Sequence, residues 1–115
     1  MKLRLFGDSI RLRLTQAEVE ILANGGELEA VFPFPGEALG CSVQPSDGPL
    51  DAHHAAGRIT ILVPFPATSA WAASTDVGMY ATTTALSIAV EKDYTCIHKP
   101  DSPDNVGTYP NPLGV

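Results

Sequence analysis

The sequence has no apolar run near the ~18 residues that a membrane-spanning helix needs. The charged residues at its start are not followed by the hydrophobic core of a signal peptide. Cysteine is also scarce, because Cys41 and Cys96 are too few for a disulfide framework and are expected to be thiols in a reducing compartment. We therefore expect a cytoplasmic protein with no membrane partner.

Positive charge is scarce as well, and it is unevenly placed. Seven Lys and Arg residues against 13 Asp and Glu give a net charge of -6, which argues against nucleic acid as a partner. Residues 1–13 nevertheless hold four cations and one carboxylate, a net +3, so the remaining residues carry -9. The chain therefore has one local basic segment in an otherwise acidic protein.

The motifs of several enzyme classes are missing. No serine lies in a Gly-x-Ser-x-Gly turn, and Gly25-Gly26 follows a predicted helix, whereas a phosphate-binding loop precedes one. Cys96 and His98 are two residues apart, a spacing that rarely gives a thiol nucleophile its base. These absences favour a small non-enzymatic interaction or scaffold domain, with an unknown protein or a second copy of the chain as its partner.

The composition is that of one folded domain. The chain has 115 residues, of which 44% are hydrophobic and 17% charged, and this is enough for a single core. Ten prolines and ten glycines predict short elements joined by many turns. We predict a single domain over residues 1–98 and an extended, proline-rich tail over residues 99–115.

The first fourteen residues alternate between aliphatic and polar side chains, which predicts two half-buried strands. A two-residue turn at Gly7-Asp8 pairs Leu5 with Ile10 and Leu3 with Leu12, and a four-residue loop would also keep the faces in register. Either turn places the cations together on the opposite face. The cations of this basic face are Lys2, Arg4, Arg11 and Arg13.

The rest of the chain predicts short strands and two short helices. Thr15 and Glu18 have the spacing of a capping box, which predicts a helix over residues 16–23, and Trp71 is expected to dock a second helix over residues 67–74. Further strands are predicted over about 28–34, 39–43, 58–63, 77–83 and 86–97, with residues 45–57 as a loop. Apolar alternation breaks after Val90, which predicts a bulge or turn near Lys92.

This order of elements predicts an α+β fold, because hairpin-length connections favour antiparallel neighbours. We expect a mainly antiparallel sheet of six or seven short strands with two short helices. The order strand, strand, helix, strand, strand occurs early and, more loosely, again at the end of the chain. No repeat is visible at the level of residues.

The basic face has two interpretations. A bound anion such as phosphate, a nucleotide or an acidic partner segment would relieve the repulsion among Lys2, Arg4, Arg11 and Arg13. Alternatively, acids of the last strand form a cross-strand charge ladder with these cations, and those acids are Glu91 and Asp93. We favour the ladder, whereas an empty basic cleft would favour a ligand.

A second candidate site is a soft metal centre. Cys96 and His98, together with Cys41 or with His53 and His54, are residues that zinc prefers as ligands. Their spacing is not that of a zinc finger, and the simpler interpretation makes both cysteines buried small hydrophobes and His98 a surface residue. We therefore expect no cofactor. The alternative is a metal- or anion-binding protein with hydrolase or ligand-sensing activity, in which zinc is the possible metal.

Self-association is a further alternative for the interaction domain. Phe34 and Phe65 are each flanked by prolines at predicted strand ends, where they are expected to be exposed. Exposed aromatic side chains are common in protein interfaces. A homodimer is therefore among the expected assemblies.

Three segments resemble a small bacterial family of single-domain proteins of unknown function. They are GDSIRLRLTQ at residues 7–16 followed by Glu18-Val19, VEKDYTCIH at residues 90–98, and YPNP at residues 109–112. The resemblance spans nearly the whole chain. It implies a bacterial, cytoplasmic, one-domain protein and assigns no activity, so no catalytic residue is transferred from it.

Overall fold

Short strands and short helices make up the fold. A computed structural model describes residues 1–95, 98–99 and 101–111. Within these residues the chain forms eight strands, two α-helices and one 3₁₀ helix. In chain order they are β1 (Lys2–Phe6), β2 (Ser9–Leu14), α1 (Gln16–Ala23), β3 (Leu28–Phe32), β4 (Leu39–Ser46), β5 (Asp51–Ala55), β6 (Arg58–Pro64), α2 (Ala67–Ala72), β7 (Gly78–Thr82), β8 (Ser87–Lys92) and the 3₁₀ helix (Pro103–Asn105).

The N-terminal hairpin has a two-residue turn, one of the two turns that the alternation allows. Gly7 has a φ of 56°, a conformation that glycine adopts without steric cost. The register pairs Leu5 with Ile10 and Leu3 with Leu12. This confirms the pairing that the alternation predicts, and it confirms that the cations share the opposite face.

The strands form two sheets, and neither is purely antiparallel. Sheet A has the order β1-β2-β8-β7, and sheet B has the order β3-β4-β6-β5. The central pairs, β2 with β8 and β4 with β6, are parallel, while the outer pairs are antiparallel. The α+β class and the two short helices are confirmed. The strand count is corrected to eight in the described residues, and the mainly antiparallel single sheet is corrected to two mixed sheets.

The strand order repeats with a two-fold relation between the halves of the chain. Each half has the order strand, strand, helix, strand, strand. The second strand of each half pairs in parallel with the last strand of the other half. The repeat that the sequence shows only as element order is therefore a repeat of topology. Strand β5 lies in the predicted loop 45–57, and it was missed because an exposed edge strand shows little apolar alternation.

One apolar core fills the space between the sheets and helices. Leu12, Leu22 and Ile61 are fully buried, and Trp71 is buried as its docking role predicts. The alternation of β8 continues through Ile88 and Val90 to Lys92, which is also buried. Lys92 and the next residue, Asp93, are both buried, so the alternation breaks near Lys92 as predicted, and it does so because β8 ends there. In the described part of the chain, no helix is both long and apolar enough to cross a membrane.

Residues 101–111 lie against the rest of the domain. The backbone N–H of Gln16 donates to the Gly107 carbonyl at 3.0 Å, and the backbone N–H of Tyr109 donates to the Asp93 carbonyl at 2.8 Å. Backbone hydrogen bonds thus hold this part of the predicted tail. The division of the chain at residue 98 stays a prediction.

The capping box at the start of α1 is formed as predicted. The Glu18 N–H donates to Thr15 Oγ1 at 3.3 Å, and the Thr15 N–H donates to Glu18 Oε1 at 2.9 Å. Burial raises the pKa of the Glu18 carboxyl. Hydrogen bonds from the Met1 ammonium and from Thr15, together with the positive charge of that ammonium, outweigh burial and lower the pKa overall. Two donors that the helix leaves open are thereby satisfied.

Thr15→Ala is expected to lower the free energy of unfolding by about 1 kcal/mol, because it leaves a first-turn N–H without its acceptor. Urea denaturation followed by circular dichroism measures the change. Thr15→Ser keeps the hydroxyl and is expected to retain most of the stability. Equal destabilisation by the two variants would show that the methyl group of Thr15, and not its hydroxyl, stabilises the helix start.

Candidate functional site

The outer face of sheet A carries all four predicted cations. The hairpin register places Lys2 opposite Arg13 and Arg4 opposite Arg11, an arrangement in which like charges repel. Strand β8 runs parallel to β2 and pairs Arg13 with Glu91. The parallel pairing therefore brings an acidic side chain to the basic face.

Glu91 is the centre of a charge ladder on this face. Its Oε1 lies 3.2 Å from Arg11 Nε and 3.9 Å from Arg13 Nε, and its Oε2 accepts a 2.7 Å hydrogen bond from the Tyr80 hydroxyl. Only 12% of the Glu91 side chain is exposed. The hydrogen bond to Glu91, together with burial, raises the pKa of Tyr80. Glu91 thus contacts two arginines, offsets one of their two positive charges and fixes an aromatic ring.

Asp93 neutralises a third cation. Its Oδ2 lies 2.7 Å from Lys2 Nζ, and its side chain is almost fully buried. The predicted ladder from Glu91 and Asp93 is thereby confirmed for three of the four cations. The two carboxylates offset two of the four positive charges, which weakens the repulsion that favoured a bound anion.

Gly78 leaves room for the ladder beside Glu91. A Cβ atom at Gly78 would lie 2.7 Å from the Val90 carbonyl oxygen, 2.8 Å from Glu91 Cγ and 3.0 Å from the Tyr80 hydroxyl. These distances are too short for a real side chain. The absence of a side chain at Gly78 is therefore a condition for the contact between Tyr80 and Glu91.

Arg4 differs from the other three cations. Within the described ranges it has no ion pair with a carboxylate, and its guanidinium lies 5.9 Å from the centroid of the Phe6 ring. The Phe6 side chain is 73% exposed. Arg4 and Phe6 therefore form an exposed cation–aromatic pair at one edge of the sheet.

A groove of about 400 Å³ crosses this face between the two edge strands of sheet A. Its volume is in the range of about 300–1,000 Å³ typical of ligand sites. The floor of the groove is formed by small side chains on the central strands β2 and β8, and its borders are formed by aromatic and cationic side chains. The outer-face groove is lined by Arg4, Phe6, Ser9, Tyr80, Ser87 and Ala89, among others.

The aromatic borders of the groove were not singled out from the sequence. Phe6 shares the alternation of Lys2 and Arg4, a signal that places it on the same face. Tyr80 is 61% exposed, and its partner Glu91 is distant in sequence. The predicted exposure of Phe34 and Phe65 is confirmed at 60% and 37%, but these residues do not line the groove.

Lys92 is a buried cation behind the same sheet. Its Nζ donates a 2.6 Å hydrogen bond to the Ser74 carbonyl and lies 5.5 Å from the Trp71 ring and 5.7 Å from the Tyr109 ring. Burial lowers the pKa of the Lys92 ammonium, and the charge of Asp76 partly opposes this. The ammonium thus binds the chain just after α2, where free carbonyls favour a cation.

The proposed metal ligands on sheet B, Cys41, His53 and His54, are not brought together. Cys41 and His54 both pair with Ile59, from opposite sides, so their backbones lie about 10 Å apart. His53 faces the other side of its strand. Burial raises the pKa of the free Cys41 thiol, which makes it a poorer metal ligand.

No group of three or more His, Cys, Asp or Glu side chains arranged to hold a metal ion occurs among the described residues. His98 is exposed at a turn. Cys96 lies outside the described residues. A zinc site at Cys96 and His98 therefore stays a prediction.

Comparison with known proteins agrees with the three-segment resemblance. A model described as a family of unknown function, DUF7009, matches residues 1–113, a range that includes all three segments. No curated protein and no solved structure matches the chain. The resemblance to a small family of unknown function is confirmed. The chain belongs to DUF7009, a family of unknown function.

Proposed function

We propose that the protein is a non-enzymatic interaction domain that binds an acidic segment of a partner protein at the outer-face groove. The observation that carries this proposal is Arg4, a cation without an ion pair in the described ranges, beside the exposed ring of Phe6. Arginine and aromatic side chains contribute most strongly to protein interfaces. The groove extends from this pair to Tyr80 on the far side of the sheet.

The charge around the groove favours a single carboxylate over a polyanion. Three of the four cations already contact a carboxylate, so among the described residues Arg4 is the one of the four whose guanidinium has no carboxylate partner and could bind one in bidentate geometry. The exposed aromatic rings suit an apolar side chain next to that carboxylate. The partner segment is therefore expected to place Asp or Glu beside an aromatic or aliphatic residue.

The thiol chemistry supports a reducing compartment for the proposed interaction. Cys41 is a free, buried thiol, as is usual for proteins of a reducing compartment. We place the proposed interaction in the cytoplasm for this reason. Its partner is a protein, because an acidic molecule with one local cationic groove repels nucleic acid and anionic membrane surfaces.

Peptide selection tests the proposal. A random peptide library displayed on phage is selected on the full chain, with counter-selection on the Arg4→Ala variant. Enriched peptides are expected to share an acidic residue next to an apolar one. In calorimetry, synthetic copies of these peptides are expected to bind Arg4→Ala at least ~10-fold more weakly than the wild type. Truncating an interface arginine to alanine often costs more than about 1 kcal/mol of binding free energy.

Arg58→Ala is the matched control. Arg58 lies on sheet B and has its own carboxylate partner, Glu29, so its loss removes an equal charge away from the groove. Binding of the peptides to this variant is expected to change less than ~2-fold. Enrichment of peptides without acidic residues, or equal weakening by both variants, would reject the proposed surface.

A further inference from the structure

The four edge strands of the two sheets differ in how well they are protected from pairing with another chain. Exposed edges are commonly guarded by charged residues or proline. Strand β1 carries Lys2 and Arg4, β3 carries Glu29, and β5 carries Asp51. Strand β7, with the sequence GMYAT, has neither charge nor proline. It ends sheet A, and no described segment pairs with its outer side.

The hydrogen bonds of β7 show which of its backbone groups face outward. Bonds from the Thr83 N–H to the Leu86 carbonyl and from the Lys92 N–H to the Val77 carbonyl continue the ladder with β8. In an antiparallel ladder every second residue bonds to the neighbouring strand. Odd-numbered residues of β7 therefore bond to β8, and the even-numbered residues direct their N–H and C=O groups to the open side. These are Gly78, Tyr80 and Thr82.

We propose that β7 pairs antiparallel with β7 of a second copy of this chain, about a two-fold axis at Tyr80. The outward-facing residues are symmetric about Tyr80, so this register places Gly78 opposite Thr82 and Met79 opposite Ala81. No charge then opposes another charge. The side chain of Tyr80 is 61% exposed and that of Val77 is 47% exposed, and both lose solvent contact in the pair.

The other edge of sheet A does not fit this arrangement. A two-fold axis at the centre of β1 would place Arg4 directly opposite Arg4 of the second copy, and like charges in that position are destabilising. The pairing at β7 instead joins two four-stranded sheets into one continuous sheet. It sets two outer-face grooves side by side, which would raise the avidity for a partner with two acidic segments.

Charge exchange at the central residue tests the register. Sedimentation equilibrium of the full chain from about 10 µM to about 1 mM covers the weak association expected of a small interface. The wild type is expected to dimerise with rising concentration. Tyr80→Lys and Tyr80→Glu each place like charges opposite one another and are expected to raise the dissociation constant at least ~10-fold. An equimolar mixture of the two variants is expected to dimerise again.

Two variants serve as controls, with circular dichroism confirming that each folds. Tyr80→Phe removes the hydrogen bond to Glu91 but adds no charge, and it is expected to dimerise like the wild type. Val31→Lys places a new charge on β3, where Val31 is 66% exposed, and it is expected to leave the dimer unchanged. A monomeric wild type, dimerisation of Tyr80→Lys, or no recovery in the mixture would overturn the proposal.

Amide hydrogen exchange of the wild type tests the same edge without any substitution. The outward-facing amides of Tyr80 and Thr82 are expected to exchange more slowly at high protein concentration, while those of Leu3 and Leu5 on β1 stay unchanged. Equal concentration dependence at both edges would contradict the assignment to β7. Arg4→Ala is expected to lose peptide binding and keep the dimer, so failure of the proposed partner site and failure of this proposal give different results.

Discussion

Glu91→Ala is expected to lower the free energy of unfolding by about 2 kcal/mol, one of the two largest effects of a single substitution on sheet A. The change leaves Arg11 and Arg13 beside each other without their shared carboxylate and removes the acceptor of the Tyr80 hydroxyl. The arginines are about half exposed and partly solvated, which limits the loss. Urea denaturation at low ionic strength gives the value.

Glu91→Gln separates the charge from the hydrogen bond. The amide oxygen still accepts from Tyr80, so this variant is expected to lose about half as much stability as Glu91→Ala. Added sulfate is expected to restore part of the loss, because the anion replaces the missing charge between two arginines. Glu20→Gln on α1 is the matched control, since Glu20 has no ion pair among the described residues. Equal effects at positions 20 and 91 would show that the ladder contributes nothing to stability.

The parts of the fold that the sequence predicts are those decided by residues close in the chain. The hairpin depends on Gly7 and on the alternation around it, and the start of α1 depends on Thr15 and Glu18, three residues apart. The alternation allowed either this two-residue turn or a four-residue loop, and the capping box predicted the start of α1. The energetic terms involved act within one turn of helix or one pair of strands, so no knowledge of the tertiary fold is needed.

The division into two sheets could not be predicted in the same way. It depends on the parallel pairs β2 with β8 and β4 with β6, which join strands that no short turn connects. Strand β5 was not predicted, for a different reason. As an exposed edge strand it carries Asp51, His53 and His54 in place of an apolar face, so periodicity does not distinguish it from a loop.

The candidate site was predicted in part. The alternation of the hairpin placed the four cations on one face, and the acidic character of the remaining chain indicated that Glu91 would neutralise some of them. Which cation lacks a carboxylate contact depends on the parallel register of β2 and β8, which sets Arg13 beside Glu91 and Arg11 beside Ala89. Among the described residues that cation is Arg4. The groove depends on Tyr80, which reaches this face only because β7 pairs with β8.

The buried position of Lys92 could not be predicted from the local pattern. Three consecutive charged residues, Glu91, Lys92 and Asp93, indicated a break in the strand. The strand does end at Lys92, but this residue takes the last inward position, with its aliphatic stem buried and its ammonium bound to the Ser74 carbonyl. A lysine can take an inward position when its charged end finds a partner beyond the core, and that partner is 18 residues away.

Lys92→Ala is expected to lower the free energy of unfolding by about 3 kcal/mol. The substitution empties the space under Trp71 and Tyr109 and removes the hydrogen bond to Ser74. Lys92→Met keeps most of the volume and removes the charge, so it is expected to cost less than about 1 kcal/mol, because burying an ammonium without a carboxylate is itself unfavourable. Urea denaturation at pH 7 compares the two variants with the wild type.

The pH dependence of the Lys92→Met comparison tests the buried charge. Burial lowers the pKa of Lys92 in the folded protein below its usual 10.5, so just below that pH the unfolded chain binds more protons at this side chain than the folded protein does. Stability rises with pH wherever the unfolded state binds more protons. The wild type is therefore expected to gain stability relative to Lys92→Met as the pH rises from 7 towards 10. If the difference in free energy of unfolding between the wild type and Lys92→Met stayed constant or fell with pH, the contacts with Ser74, Trp71 and Tyr109 would compensate fully for the burial of the ammonium.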